Sequence, residues 1–286
     1  MIFRLLEAKG LGSVRGHTDL DFPQTAAKER GIYMTSITVG FAVFLFVVQF
    51  VSYFVKGLAG FGDPLISNPC LSMTEMTNSQ ITPMNLLMNW PLNFYISFKN
   101  RKSFSARSCI PMIICILAGM IPGIACLKFG QSQTLKAGLG VLIIFCGVEM
   151  LTRKESKVSH GNPVIMALVS IASGFTAGLY GINLFFVAYI ERTGYVNRNQ
   201  FRGQMCFIFF IENTVRLLLY IFVYKMYTLI IIQAAVISAF GVAAGMFLGS
   251  HVDKRLSEAF VHKLIMIVFI IAGISTLVKA LLAIFA

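Results

Sequence analysis

Apolar residues along this chain come in long uninterrupted blocks rather than in alternation. The run from Thr35 to Val55 carries no charge, and neither does the run from Met226 to Ser250. A helix needs roughly 20 apolar residues to cross the hydrocarbon of a bilayer, and both runs reach that length. Read along the whole chain, the pattern predicts eight spanning helices, at about 34–55, 80–98, 106–127, 134–151, 163–181, 204–224, 227–250 and 263–285. The stretches 57–78 and 182–202 are too interrupted by Gly, Pro and Asn to make ordinary spans, so each is read as a broken or re-entrant segment. The expected fold class is all-α, a polytopic transmembrane helix bundle over residues 34–286. Residues 1–33 form a polar tail with no apolar core of signal-peptide length.

Composition agrees with a membrane protein. Of the 286 residues, 57% are hydrophobic and 13% charged, where a soluble domain spends about a quarter on charge. The net charge of +12 resembles a nucleic-acid footprint until its distribution is examined. The cations gather in the tail and in short loops, with Lys99, Arg101, Lys102 and Arg107 in one and Arg153, Lys154 and Lys157 in another. That is the positive-inside bias of a membrane chain, and no nucleic-acid partner is expected. It places the N terminus in the cytoplasm and leaves only Lys56, Lys128 and Lys136 on the opposite side of the first half. Arg192, Arg198 and Arg202 leave the second half indecisive. Six cysteines lie in or beside apolar blocks without a CxxC motif, so they read as small apolar residues. No metal site or cofactor is expected.

Glycine landmarks reveal an internal repeat. GLAG at Gly57–Gly60 reappears as GLYG at Gly178–Gly181, and GMIPG at Gly119–Gly123 as GVAAG at Gly241–Gly245, in the same order and at nearly constant offset. The repeats are expected at about 34–151 and 163–285. Transporters are often built from two such halves, with interrupted helices at equivalent positions forming the site. The GxxxG pairs themselves, including Gly174/Gly178, read as devices for close helix packing.

The segment GLAGFGDPLISNP (Gly57–Pro69) is the most informative. Its glycines release the backbone from helix, and Asp63-Pro64 has the order of an N-cap followed by an N1 proline. Asn68-Pro69 is expected to interrupt the chain again. Non-helical backbone at membrane depth survives only inside protein or beside a water-filled cavity, and the start of the new helix favours an anion. Asp63 has two readings. As an N-cap it only satisfies backbone donors; at an anion site it repels the substrate unless protonated.

Two further spans carry polar chemistry. Glu212 and Arg216 lie four residues apart in the sixth span, share a helix face and can pair. Charged residues in a span usually mark a pathway, although a structural ion pair is the plainer reading. The second span carries Asn85, Asn89 and Asn93 at intervals of four, with Thr82 and Asn78 near the same face. An amide stripe opposite an arginine suits a polyoxygen anion; interhelical hydrogen bonding is the alternative.

The GxxGFG…P segment, its echo GLYGIN at Gly178–Asn183 and the basic loop Lys99–Arg101–Lys102 together resemble the sulfite exporter TauE/SafE family. The resemblance runs from about Thr35 to the C terminus. It departs where Asp63-Pro64 follows Gly62 instead of a more glycine-rich core. It implies a two-repeat secondary transporter of the cell membrane, exporting sulfite, a sulfonate or a related small anion. The expected lining is Gly60, Gly62, Asp63, Asn89, Asn93, Gly178, Gly181, Asn183, Glu212 and Arg216. The partners are then the small anionic substrate and the lipid bilayer, and a homo-oligomer is compatible with the pattern. No nucleotide-binding motif is present, so an ion gradient or the substrate's own gradient would drive the flux. A membrane enzyme, an assembly subunit or an anion channel are the rival classes. An enzyme would be expected to show a His, Cys or paired-carboxylate cluster, where this chain shows one isolated Asp and one ion pair.

Overall fold

The first uncharged run folds as one helix, α1 (Val39–Ala59), which continues through Lys56 and Gly57. The computed structural model describes residues 37–59, 62–152, 162–192, 198–252, 273–278 and 281–282. After α1 come the short helix α2 (Asp63–Ser72), then α3 (Asn78–Lys99), α4 (Ala106–Phe129) and α5 (Ser132–Thr152). The order of long, short and long helices recurs in α6 (Pro163–Tyr180), the short α7 (Leu184–Arg192), α8 (Arg198–Leu218) and α9 (Leu229–Val252). A single π turn, Leu219–Val223, ends α8. The chain is an all-helical, multi-pass membrane bundle. Five stretches among the described residues are long and apolar enough to cross a bilayer: Val39–Leu58, Ala106–Phe129, Pro163–Tyr180, Gly203–Val223 and Leu229–Val252. The expected second and fourth spans correspond to α3 and α5. α3 is less apolar because its amides face inward, with Asn78, Asn85, Asn89 and Asn93 all buried. Most of the expected eighth span lies outside the described residues, as do the tail 1–33 and the cations Arg153, Lys154 and Lys157.

Two long helix pairs frame the bundle. α1 packs along α9, and α4 along α6, while α3 lies against α8 between them. Glycine makes the close approaches possible. A Cβ at Gly241, Gly245 or Gly249 of α9 would collide with the backbone carbonyls of Phe46, Phe50 and Phe54 on α1. Between α4 and α6, Gly119, Gly123, Gly174 and Gly178 meet facing backbone in the same way. The packing role expected of the GxxxG pairs is therefore what the structure contains. In a bilayer, where apolar side chains gain nothing by leaving lipid, such backbone proximity supplies the van der Waals contact that holds helices together.

Two expectations around the first break need correcting. Asp63 is the first residue of α2 rather than its cap; Gly62 occupies the cap position, left-handed at φ 101°, and no side chain caps the helix. A left-handed residue turns the chain sharply without a capping oxygen, which frees the Asp63 carboxylate for other partners. Asn68-Pro69 does not interrupt the chain, because α2 runs through it to Ser72. The Asn68 side chain is instead a cross-strut, donating to the Tyr180 carbonyl at the end of α6 and accepting from Asn85.

Candidate functional site

The first break brings α1 and α2 to a shared charged point. Lys56, in the last turn of α1, places its Nζ 3.0 Å from Asp63 Oδ1, and both side chains are about 95% removed from solvent, at 4% and 5% exposure. Asn89 of α3 completes the group, its Oδ1 accepting from Lys56 and its Nδ2 donating to Asp63 Oδ2 at 2.5 Å. Asp63 is thus not isolated. The charge pattern places Lys56 beyond the span, on the outer side, but it is buried because α1 continues one turn past the expected end of the span. The available signal was a lysine immediately preceding the first glycine and seven residues before the aspartate, across the break.

The second break mirrors the first in position. Gly181 ends α6 in a left-handed conformation, φ 71°, with its amide bonded to the Ala177 carbonyl. Asn183 stands just before α7 and donates through Nδ2 to Glu212 Oε2 at 2.6 Å. The Glu212–Arg216 pair forms as expected from its spacing, at 3.6 Å and with both side chains below 5% exposure. Arg216 also donates through Nη1 to the Ala177 carbonyl at 2.5 Å and through Nη2 to Asn213 Oδ1. A cation at the C-terminal end of α6 is favoured by the helix dipole as well as by the hydrogen bond. Asn213 is therefore an acceptor for Arg216.

These two breaks open onto one cavity of about 50 Å³, several times the roughly 10–15 Å³ that holds one water. Among its lining residues are Gly62 and Asp63 from the first break, and Gly181 and Asn183 from the second. Asn89, Asn93, Asn213 and Arg216 come from α3 and α8, and Lys56 from α1. Of the residues named from sequence, Gly60 lies outside the described residues. Gly178 sits away from the lining, its Cα face pressed on Met120 and Ile124 of α4. Glu212 stands behind Arg216 rather than on the wall. Lys56 and the apolar wall residues Ile182, Val187 and Phe209 were not foreseen. Two buried polar atoms on the wall lack partners, Arg216 Nε and Asn93 Oδ1. A buried donor without a partner is costly, so Arg216 Nε is a group that a bound oxygen atom would satisfy.

The amide stripe of α3 divides its work. Asn85 is structural, accepting from Gln49 at 2.8 Å and donating to Ser67 and Asn68. Asn78 accepts from Ser72. Asn89 and Asn93, further along the helix, reach the cavity. Interhelical hydrogen bonding therefore accounts for Asn78, Asn85 and Asn89, while Asn89 and Asn93 also stand on the cavity wall.

A family model described as Sulfite exporter TauE/SafE matches residues 45–276, which takes in both breaks and every residue of the cavity wall. No curated protein matches the chain, and no solved structure does.

Proposed function

The chain belongs to the sulfite exporter TauE/SafE family, and on that premise we propose that it is a secondary transporter carrying sulfite, a sulfonate or a related small oxyanion outward across the cell membrane. The observation that carries this reading is the meeting of two interrupted helices at one polar cavity. Gly62 and Asp63 at the start of α2, and Gly181 and Asn183 before α7, face the same space together with Lys56 and Arg216. Discontinuous helices that bring their ends to a midplane site are the recurring construction of secondary carriers. Cationic and amide donors suit the oxygens of a small anion, with Arg216 offering a planar fork and the asparagines adaptable N–H groups.

The proposed architecture is two repeats, about 34–151 and 163–285, exchanging partners across the centre. In that arrangement the first long helix of one repeat packs on a late helix of the other, as α1 does on α9 and α6 on α4. The N terminus is assigned to the cytoplasm by the basic loops. Substrate binding is assigned to Gly62, Asp63, Asn89, Asn93, Gly181, Asn183 and Arg216, with Glu212 orienting Arg216. The protein is read as a carrier rather than an enzyme in keeping with the family to which it belongs.

Uptake into proteoliposomes tests this directly. Sulfite, thiosulfate, sulfate, sulfonates and small carboxylates are compared, and saturable flux of at least one sulfur oxyanion is expected. Flux that does not saturate would identify a channel. Absence of flux for every anion, with folded protein in the membrane, would refute the transport reading.

A further inference from the structure

Two cations, Lys56 and Arg216, face the same cavity, and each already holds a carboxylate. The two pairs are not equivalent. Asp63 lines the cavity beside Lys56, whereas Glu212 is withdrawn behind Arg216 and tied to Asn183. Arg216 is further committed to the Ala177 carbonyl and to Asn213. The Lys56 ammonium meets the carboxylate of Asp63 and the amide oxygen of Asn89. An oxyanion approaching Lys56 would therefore find Asp63 in the place it needs.

Resting on the anion-carrier reading, we infer that Asp63 is an internal stand-in for the transported anion: substrate displaces it from Lys56, and Asp63 takes up a proton as it leaves, so that anion and proton travel together. The charges of the site lead to this. With Lys56, Asp63, Glu212 and Arg216 all ionised, the buried group is neutral. A monoanion added to it leaves one uncompensated negative charge inside the membrane, where such charge is costly. Displacement also strips Asp63 of its counter-cation and sets a like charge beside it, and both changes favour the neutral carboxyl. One proton from water restores neutrality; no bond other than that O–H forms or breaks.

Asp63 lines the cavity and would meet the substrate directly, whereas the other carboxylate, Glu212, is off the wall. From α1 it faces Lys56 and the neutral Tyr53, whose ring lies 5.3 Å from Lys56 Nζ. From α3 come only the amides of Asn89 and Asn93, and across the cavity stands Arg216 with Glu212 behind it. From α5, Lys136 bonds the Thr74 carbonyl beyond the far end of α2. Lys56 is then an anion ligand in its own right, and its pairing with Asp63 keeps the empty site closed to charge.

The test uses purified full-length protein with sulfite and with methanesulfonate, a sulfonate that stays a monoanion at every pH used. In weakly buffered solution with a pH indicator, wild type saturated with methanesulfonate should take up about one proton per anion bound. Its apparent Kd should tighten by about tenfold per unit fall in pH while Asp63 is ionised in the empty protein. Asp63→Asn should show neither effect. For sulfite, whose own titration is common to both proteins, the difference between wild type and Asp63→Asn is read. Lys56→Gln should weaken binding by about tenfold or more. If either variant fails to fold, wild type still tests the coupling, because absence of proton uptake on binding overturns the inference. Anion binding without proton uptake, or a pH slope that survives in Asp63→Asn, overturns the inference and leaves the carrier reading standing if proteoliposome flux is present. Failure of both anions to bind, with no flux of any anion, overturns the two together.

Discussion

Arg216 Nη1 donates to the carbonyl of Ala177 at 2.5 Å, so a cation on α8 closes the C-terminal end of α6 at the edge of the cavity. The same guanidinium has one buried N–H, at Nε, left without a partner. Arg216 therefore holds the second break together, and its side chain also lines the cavity. Those two roles separate when stability and transport are measured on the same variants.

Arg216→Gln strands Glu212 in a site with 1% side-chain exposure, and should destabilise the protein by roughly 3–5 kcal/mol. Neutralising both residues should restore much of that stability, because no buried charge is left unpaired. Transport should not return in the double variant if Arg216 is an anion ligand, and Glu212→Gln alone should retain some transport at altered affinity. Thermal unfolding in detergent and proteoliposome uptake, normalised to folded protein, give the two readouts. Uptake by the double variant above the level of Arg216→Gln would reduce the pair to a structural element. Arg216→Lys should lose both stability and transport, since a point charge cannot bond Ala177 and Asn213 through a planar fork.

The glycines divide into two kinds with different costs. Gly62 has φ 101° and open space where a Cβ would stand, so Gly62→Ala should cost about 1–2 kcal/mol of backbone strain. Gly119 is helical, but its Cβ would strike the Ile171 backbone on α6. Gly119→Ala should therefore be at least as damaging, through forced separation of α4 and α6 at about 1–3 kcal/mol. Unfolding midpoints of the two variants in one detergent decide this. A harmless Gly119→Ala would contradict the close approach of α4 and α6. Gly62→Ala should in addition depress transport beyond its effect on folding, because it lies on the cavity wall.

Asn85 ties three elements, with Gln49 on α1 and Ser67 and Asn68 on α2 as its partners. Asn85→Ala leaves those buried groups short of partners and should destabilise by about 1–3 kcal/mol. Anion affinity should fall far less than in Asn89→Ala, since Asn85 does not reach the cavity wall. Equal losses of affinity in the two variants would mean that the stripe acts as one unit.

Local chemistry made much of this protein legible in one dimension. Helix length in a bilayer is governed by hydrophobic thickness, so apolar runs announced α4, α6 and α9 close to their observed limits, and α1 displaced by about one turn. The breaks were legible because glycines cluster there, and Gly62 and Gly181 take the left-handed backbone that flanks a helix end. The spacing of four between Glu212 and Arg216 brought them together on a single helix, where geometry depends only on sequence separation. What tertiary structure alone decided was which of these groups meet. Asn68 reaches a carbonyl 112 positions away, and no periodicity encodes that distance. Lys56 looked like a loop cation until α1 was seen to continue past it and α2 to fold Asp63 back against it. The separation of Asn85 from Asn89 and Asn93 depends on how α3 sits against α1, α2 and α8, for identical amides on one helix face differ only in what stands opposite. Sequence determined where the helices run and where they fail; packing determined which of the polar residues left at those failures face one cavity.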